Sequence, residues 1–216
     1  MYSLVFDTTA MGLVLGLYKD EVCVKKIEKY MEFGQAEALA VSLKEVLDEE
    51  NIKFSDIGLL GVCVGPGSFT GVRASIAFAR ALSLGNPELK ITGVSAFEVY
   101  ANMIKNKAFH NAVVIETKRE DFYFQLFDEN MAKISEPLAI EREEIRDILK
   151  GRQVSFIGDG VERLLSQSMG LQIKDVELSE FMSVDALFRA VYKKYLEKSL
   201  DFPKPLYIRC ADACVK

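Results

Sequence analysis

A glycine-rich turn between a strand-like run and a helix-like run has the residue types to bind an anion. Residues 59–64 are apolar, Gly65-Pro66-Gly67-Ser68-Phe69-Thr70-Gly71 interrupts them, and a helical pattern follows. Such turns often hold phosphate, because the first N–H groups of a helix are unpaired. This loop lacks the lysine of a P-loop, and Thr70 stands where a dinucleotide fingerprint has its third glycine. The alternative is a structural turn in which Ser68 or Thr70 caps the helix.

A second candidate for chemistry is Asp7-Thr8-Thr9, at the end of the first strand-like run. In two-lobed kinases an aspartate-rich turn at this place binds a metal–phosphate group, usually with a glycine close by. Here the turn glycine comes only at Gly12. A lone aspartate would also need a base or a metal to act in catalysis. We therefore weigh a metal–phosphate ligand against an aspartate that only hydrogen-bonds its own turn.

Cysteine and histidine provide no recognisable catalytic or metal site. The four cysteines are Cys23, Cys63, Cys210 and Cys214, and His110 is the single histidine. A zinc site would need a second close cysteine pair or further histidines. No nucleophile–histidine set can be built around one histidine. We predict buried free thiols in a reducing, cytoplasmic compartment, with no catalytic residue, no metal and no cofactor for this chain alone.

The overall charge bears on nucleic acid and membrane binding. The net charge is −5, the isoelectric point is near 5.2, and no basic block exceeds two residues. A domain that gripped RNA alone would normally carry a cationic face. No apolar run reaches the roughly 18 residues of a membrane helix. Any contact with RNA is therefore expected to pass through another protein, and no membrane contact is expected.

The helix predicted over residues 69–84 is unusually apolar. Its only charges are Arg73 and Arg80. Two stripes run along it, and a surface helix would normally replace one of them by polar residues. One stripe is Ala74, Ala77 and Ala81, and the other is Val72, Ile76 and Ala79. The helix is therefore either buried in the chain's own core or covered by another subunit.

The elements around these candidates follow a pattern that occurs twice. Alternating and continuous apolar runs predict strands, and i, i+3, i+4, i+7 spacing predicts helices. In the first half we predict strands 2–7, 13–18 and 22–28, helix 34–50, strand 59–64, helix 69–84, strand 90–94 and helix 95–106. In the second half we predict strands 112–117, 122–127 and 132–136, helix 141–150, strand 154–157, helix 161–168 and a closing helix 184–198.

The repeated strand-strand-strand-helix-strand-helix order predicts the fold class. A meander extended by a parallel strand through a helical crossover forms a mixed sheet with helices on its faces. Two such lobes define the α/β actin-like ATPase (ribonuclease H-like) architecture. We predict an N-terminal lobe over 1–106 and a C-terminal lobe over 107–216, with the last residues packing back on the first lobe.

Two turns of the second half are also candidates. Residues 116–121 form a charged hairpin turn, which is either solvated or in contact with a partner or ligand. Gly158-Asp159-Gly160 is another strand-to-helix turn, and we expect Asp159 to cap the following helix.

Five segments together resemble the TsaB (YeaZ) family of the actin-like ATPase superfamily. They are FDTT, GPGSFTGVR with its helix, VIETKREDFYF, GDG at 158–160 and PLYIR. GPGSFTGVR is the specific one. The resemblance implies an accessory, non-catalytic subunit of the complex that makes threonylcarbamoyladenosine in tRNA. A small-molecule kinase or ATPase of the same fold is the alternative, and a peptidase is a weaker one.

The resemblance also implies the partners and their contact surface. The helices at 34–50 and 69–84 would pair two copies of the chain and would bind the catalytic paralogue TsaD. TsaE, an ATPase, would be a third component, and tRNA would be reached only through the complex. In TsaD two histidines on the helix after the first meander hold a metal, whereas this helix reads FGQAEALAVS. ATP and the metal ion are therefore assigned to the partner complex. The implied contact residues are Leu39, Leu43, Phe69, Val72, Arg73, Ile76, Ala77, Arg80 and Ala81.

Overall fold

The computed structural model divides the chain into two compact units. One comprises Met1–Asn102 with Phe181–Leu206, and the other comprises Met103–Glu180 with Tyr207–Lys216. The structure describes residues 1–105, 109–179 and 182–209. Each unit contains a five-stranded mixed sheet, which confirms the predicted α/β class with two mixed sheets.

The sheet of the first unit has the order β3-β2-β1-β4-β5. The first three strands form the predicted antiparallel meander, with Phe6 opposite Leu15. β4 then lies parallel to β1, with Val62 beside Phe6, and β5 lies parallel to β4. The bounds are β1 Tyr2–Asp7, β2 Gly12–Lys19, β3 Val22–Tyr30, β4 Ile57–Cys63 and β5 Lys90–Val94.

Within the described residues, four helices accompany this sheet, and a 3₁₀ turn at Phe54–Asp56 precedes β4. They are α1 Gln35–Glu49, α2 Phe69–Gly85, α3 Ala96–Ala101 and α6 Val184–Leu196. Helices α1 and α2 share one apolar cluster with side chains from one face of the sheet. α6 lies on the opposite face, where a Cβ on Gly61 would stand 2.2 Å from Val191. Glycine at 61 therefore lets α6 approach β4 closely.

The second unit repeats the architecture with the sheet order β10-β9-β6-β7-β8. Its core gathers the inward side chains of the central strands with Ile145, Leu149 and Leu164 of two short helices. The bounds are β6 His110–Glu116, β7 Phe122–Phe127, β8 Leu138–Ile140, α4 Arg142–Leu149, β9 Gln153–Gly158, α5 Val161–Leu165 and β10 Gln172–Leu178.

The predicted and the observed elements differ most at three places. The third strand of this meander lies at Leu138–Ile140, not at 132–136, where only an isolated bridge joins Lys133 to Phe127. Helix α3 ends at Ala101, well before residue 106. β10 was not predicted, because its apolar residues 173, 176 and 178 neither alternate strictly nor form a run.

The structure also divides the chain differently from the predicted boundary at 106/107. The segment 181–206, including α6, belongs to the first unit. The reason is that α6 buries Val184, Leu187 and Val191 against the sheet formed by β1–β5. In the described residues, no helix is long and apolar enough to cross a membrane.

Candidate protein–protein interface

The glycine-rich loop packs directly on the first turn of the chain. The Ser68 N–H donates to the Thr9 carbonyl at 2.8 Å, and the Thr8 hydroxyl donates to the Gly71 carbonyl at 2.9 Å. A Cβ on Gly71 would stand 1.9 Å from the Thr8 carbonyl oxygen. The space that a phosphate group would need between loop and turn is therefore filled by backbone.

The start of α2 is satisfied by the chain itself. The Ser68 hydroxyl accepts a hydrogen bond from the Gly71 N–H at 3.3 Å, as one of the two predicted caps requires. Thr8 adds a second anchor, since its N–H and its hydroxyl both contact the buried Ser75 hydroxyl. These bonds favour the structural turn over the phosphate loop.

Asp7 forms a turn and is completely buried. Its Oδ1 accepts the Thr9 N–H at 2.9 Å, and burial raises the pKa of the carboxyl group above its usual value, against the opposing effect of these hydrogen bonds. The Thr9 hydroxyl contacts the sulfur of Cys63. Burial raises the pKa of this thiol well above its usual value. Among the described residues no group of three or more potential ligands is arranged to hold a metal. The arrangement favours the hydrogen-bonded turn aspartate.

Four of the nine predicted contact residues lie in the chain's own core. Their side chains are between 1% and 5% exposed, so they cannot form a contact surface in this conformation. The resemblance implies them as contact residues, whereas apolar side chains at helical spacing fit the chain's own core equally well. The four residues are Leu39, Leu43, Val72 and Ile76.

The other five predicted residues lie on the outer side of α2. They are Phe69, Arg73, Ala77, Arg80 and Ala81. The Arg73 guanidinium stacks on the Phe69 ring at 3.7 Å, and the Phe69 side chain is 47% exposed. With Leu84, this side presents small and apolar residues to the surroundings, and its only charges are the two arginines. An exposed apolar patch bordered by polar residues is typical of a protein–protein interface.

α1 continues this surface. Ala36, Ala40 and Val41 are exposed on it. Glu49 reaches Lys25 of β3, so at about 100° per residue Ala40 lies on the opposite flank, toward α2. On α2, Phe78 and Leu82 join the cluster that includes α1, so the neighbouring Ala81 borders α1 as well. The two helices therefore enclose a shallow groove lined by alanines. We name the outer side of α1 and α2 the paired-helix face.

Arg80 has a role that the sequence did not indicate. Its Nε and Nη2 donate to the Pro203 carbonyl oxygen at 3.2 and 2.6 Å, and its guanidinium lies 5.1 Å from the Phe202 ring. Pro203 belongs to residues 201–206, which run along the outer side of β5. The Gly93 N–H donates to the Asp201 carbonyl, and the Leu206 N–H donates to the Val64 carbonyl. We name residues 201–206 the strap.

The charged turn of the second unit is internally paired. Glu116 accepts two hydrogen bonds from Arg163, at 2.7 and 2.8 Å. Burial acts to raise the pKa of Glu116, but the bonds from Arg163 and from neighbouring N–H groups outweigh it and lower the pKa overall. Asp121 pairs with Arg209, the last residue of PLYIR. These carboxylates stabilise the hairpin, in which Lys118 and Arg119 are exposed.

Two smaller predictions for the second half and the cysteines need correction. The residue at the N-terminal cap of α5 is Gly160 rather than Asp159, and Asp159 Oδ1 accepts the N–H of Glu116, which ties two parallel strands together. Cys23 is exposed rather than buried, whereas Cys63 is buried as predicted. His110 begins β6 and lies 3.1 Å from Arg152. Cys210 and Cys214 lie outside the described residues.

The architecture defines the class of the protein. Two meanders, each extended by parallel strands and covered by helices, form the actin-like ATPase type of fold. A solved structure described as YeaZ from Pseudomonas aeruginosa superposes with a TM-score of 0.80 at 16% identity, covering 95% of this chain and 99% of that one. The ADPNP-bound activator of the 2-hydroxyisocaproyl-CoA dehydratase from Clostridium difficile shares the fold with a TM-score of 0.50 at 12% identity, covering 93% of this chain and 98% of that one.

The sequence matches a family as well as a fold. The model of the family described as TsaD, tRNA N6-adenosine threonylcarbamoyltransferase, matches residues 34–188, and the chain belongs to this family. The tRNA threonylcarbamoyladenosine biosynthesis protein TsaB of Escherichia coli K12 is 25% identical over 97% of this chain and 95% of that protein. The resemblance to TsaB and YeaZ that the motifs indicate is thereby confirmed.

Proposed function

We propose that this chain is a TsaB-like accessory subunit in the biosynthesis of threonylcarbamoyladenosine in tRNA, and that it binds and activates a TsaD-like catalytic paralogue. The observation that carries the proposal is the paired-helix face. Its alanine-lined groove and its exposed Phe69 and Leu84 remain uncovered on the chain, and a partner would bury them. The name of the Escherichia coli relative indicates the pathway.

The same surface is proposed to pair two copies of this chain when the paralogue is absent. A two-fold pair is the usual form of such self-association, because one patch then serves both subunits. The homodimer and the heterodimer would share the paired-helix face, so they would compete. The TsaE-like ATPase would join the heterodimer, and tRNA would bind to the complex, since the chain itself is acidic.

Catalysis, ATP and the metal are assigned to the partners. The α1 sequence QAEALAVSLKEVLDE contains no histidine, and the loop before α2 is filled by its own backbone contacts. Activation would follow from differential binding: a subunit that binds one conformation of the paralogue more tightly increases the population of that conformation. The reaction served would be transfer of threonylcarbamoyl from its adenylate to N6 of adenosine.

Reconstitution with the Ala77→Glu variant tests this function. The cognate TsaD-like and TsaE-like proteins, ATP, threonylcarbamoyl adenylate and tRNA should give modified adenosine only when this chain is added. Ala77→Glu should abolish both the binding and the rescue, because an unpaired charge on the outer side of α2 would be buried under the partner. Ala132→Glu, at an exposed position of the second unit, is the matched control and should rescue fully. Modification without this chain, or rescue by a variant that has lost binding, would refute the proposal.

A further inference from the structure

The strap lies beside α2 on the side away from α1. Phe69, Arg73 and Arg80 lie within about 40° of one another around α2, whereas Phe78 and Leu82, which contact the α1 cluster, lie on the far flank. Arg80 donates a hydrogen bond to the Pro203 carbonyl, and its guanidinium lies over the Phe202 ring. The strap therefore borders the flank of α2 that carries the arginines. Exposed surface thus runs continuously from α1 across α2 to Phe202.

Two similar pairs stand on this flank. Arg73 stacks on Phe69, and Arg80 lies over Phe202, one pair at each end of a stretch of about 10 Å on α2. Both phenylalanines remain about half exposed, at 47% and 52%. An exposed aromatic ring held by an arginine is a rigid apolar contact that loses little conformational entropy on binding, and such residues dominate interface energies.

Charge distinguishes the two flanks of the surface. α2 carries Arg73 and Arg80 and no acidic residue. α1 carries four carboxylates and one lysine, and the lysine is paired with Asp48. Its outer side presents Glu37 and Glu45 together with Val41, which is 57% exposed.

A surface that is basic on one flank, acidic on the other and alanine-lined between them is complementary to itself. A two-fold axis through the groove would bring the α1 flank of one copy over the α2 flank of the other. We propose that the strap forms the outer edge of the paired-helix face, with Phe202 as a contact residue and Arg80 as its positioning residue. The occupant is the acidic α1 flank of a second copy of this chain. This inference rests on the self-association proposed above.

Sedimentation of Phe202 variants of the full chain tests the inference. Phe202→Ala should weaken self-association on the order of tenfold, because a half-exposed ring loses its contact. Phe202→Glu should weaken self-association at least tenfold more than Phe202→Lys does. The reason is that the facing α1 flank is acidic and repels a carboxylate. Leu178→Ala, on the exposed side of β10 in the second unit, is the control and should associate like the wild type. Unchanged thermal unfolding of the dilute variants would exclude misfolding.

Several results would overturn the strap's role. Wild-type association by all three Phe202 variants, alongside dissociation by Ala77→Glu, would remove the strap from the interface and leave the paired-helix face intact. Equal effects of the Glu and Lys variants would refute an acidic occupant. Loss of paralogue binding with unchanged self-association would make the paralogue the occupant and refute the second copy. A wild-type chain that stays monomeric yet supports reconstitution would refute this inference but not the proposed function.

Discussion

Arg80 of α2 donates two hydrogen bonds to the carbonyl oxygen of Pro203, although 123 residues separate them in the chain. The bonds attach the strap to a helix whose outer side is the candidate interface. Removing the guanidinium by Arg80→Ala should lower the free energy of unfolding by about 1–3 kcal/mol, as expected for hydrogen bonds from a charged donor. Hydrogen exchange of the Leu206 amide, which donates to Val64, should accelerate. Arg73→Ala on the same helix is the control, and unchanged Leu206 protection in Arg80→Ala would contradict this role.

Alanine substitution should destabilise the fold at Gly71 but not at Gly85. A Cβ at 71 would meet the Thr8 carbonyl oxygen at 1.9 Å, whereas a Cβ at 85 meets nothing within 4 Å. Gly71→Ala should therefore lower the free energy of unfolding by at least ~2 kcal/mol, because backbone must move. Gly85→Ala should leave it unchanged or raise it by up to about 1 kcal/mol. Chemical denaturation measures both, and a neutral Gly71→Ala would show that the loop does not press on the turn.

The implied contact residues that the structure buries in the core give a separate prediction. Leu39→Ala should lower the free energy of unfolding by about 2–5 kcal/mol, since it opens a cavity under α1. Ala77→Glu, at an exposed position, should change the stability of the dilute monomer by less than about 1 kcal/mol and act on association alone. Thermal unfolding at low concentration separates the two effects. A large loss of monomer stability in Ala77→Glu would mean that residue 77 supports the fold rather than the interface.

Glu116 should contribute an acid-sensitive part of the stability. Burial acts to raise its pKa, but the bonds from Arg163 and from neighbouring N–H groups outweigh burial, so the pKa in the folded chain lies below its ordinary value of 4.5. The stabilisation is therefore present above about pH 4.5 and is lost as the pH falls through the lower folded pKa. Between about pH 6 and pH 3, the wild type should lose more free energy of unfolding than Glu116→Gln. Arg163→Gln should flatten the profile in the same way, and parallel profiles for all three proteins would contradict the pairing.

The purified chain alone should turn over neither ATP nor peptides. Loop 65–71 is packed against residues 7–9, and the one carboxyl group there, on Asp7, is buried and engaged by its own turn. Phosphate-release and peptide-cleavage assays on stringently purified protein measure this inertness. ATP turnover that persists through purification and disappears in Asp7→Ala would instead support a kinase or ATPase of the same fold.

Most of the fold could be predicted because its elements have regular patterns. The meander at 2–30 alternates or runs apolar, and α1, α2 and α6 show helical spacing within one or two residues of their observed bounds. The failures have local causes. β10 is an edge strand with exposed residues on both sides, so burial imposes no pattern on it. Asp159 has the spacing of a helix cap, but the N–H of Glu116 on the neighbouring strand competes for its carboxylate.

The candidate interface was predicted only in part. Amino-acid spacing identified α2 as a helix with two apolar stripes, and the structure buries Val72 and Ile76 while it exposes Ala77 and Ala81. Which stripe faces outward depends on how the crossover places the helix on the sheet, and spacing does not encode that.

The sequence by itself determined most of the strands and helices, the repeat and the family resemblance, because each rests on neighbouring residues or on short motifs. Only the tertiary structure decided that Arg80 holds Pro203, that Phe202 extends the surface of α2, and that the glycine-rich loop is filled by the Thr8 turn. The physical reason is that these contacts join segments far apart in the chain. Their partners are chosen by packing on a shared sheet and leave no periodic signal in either segment.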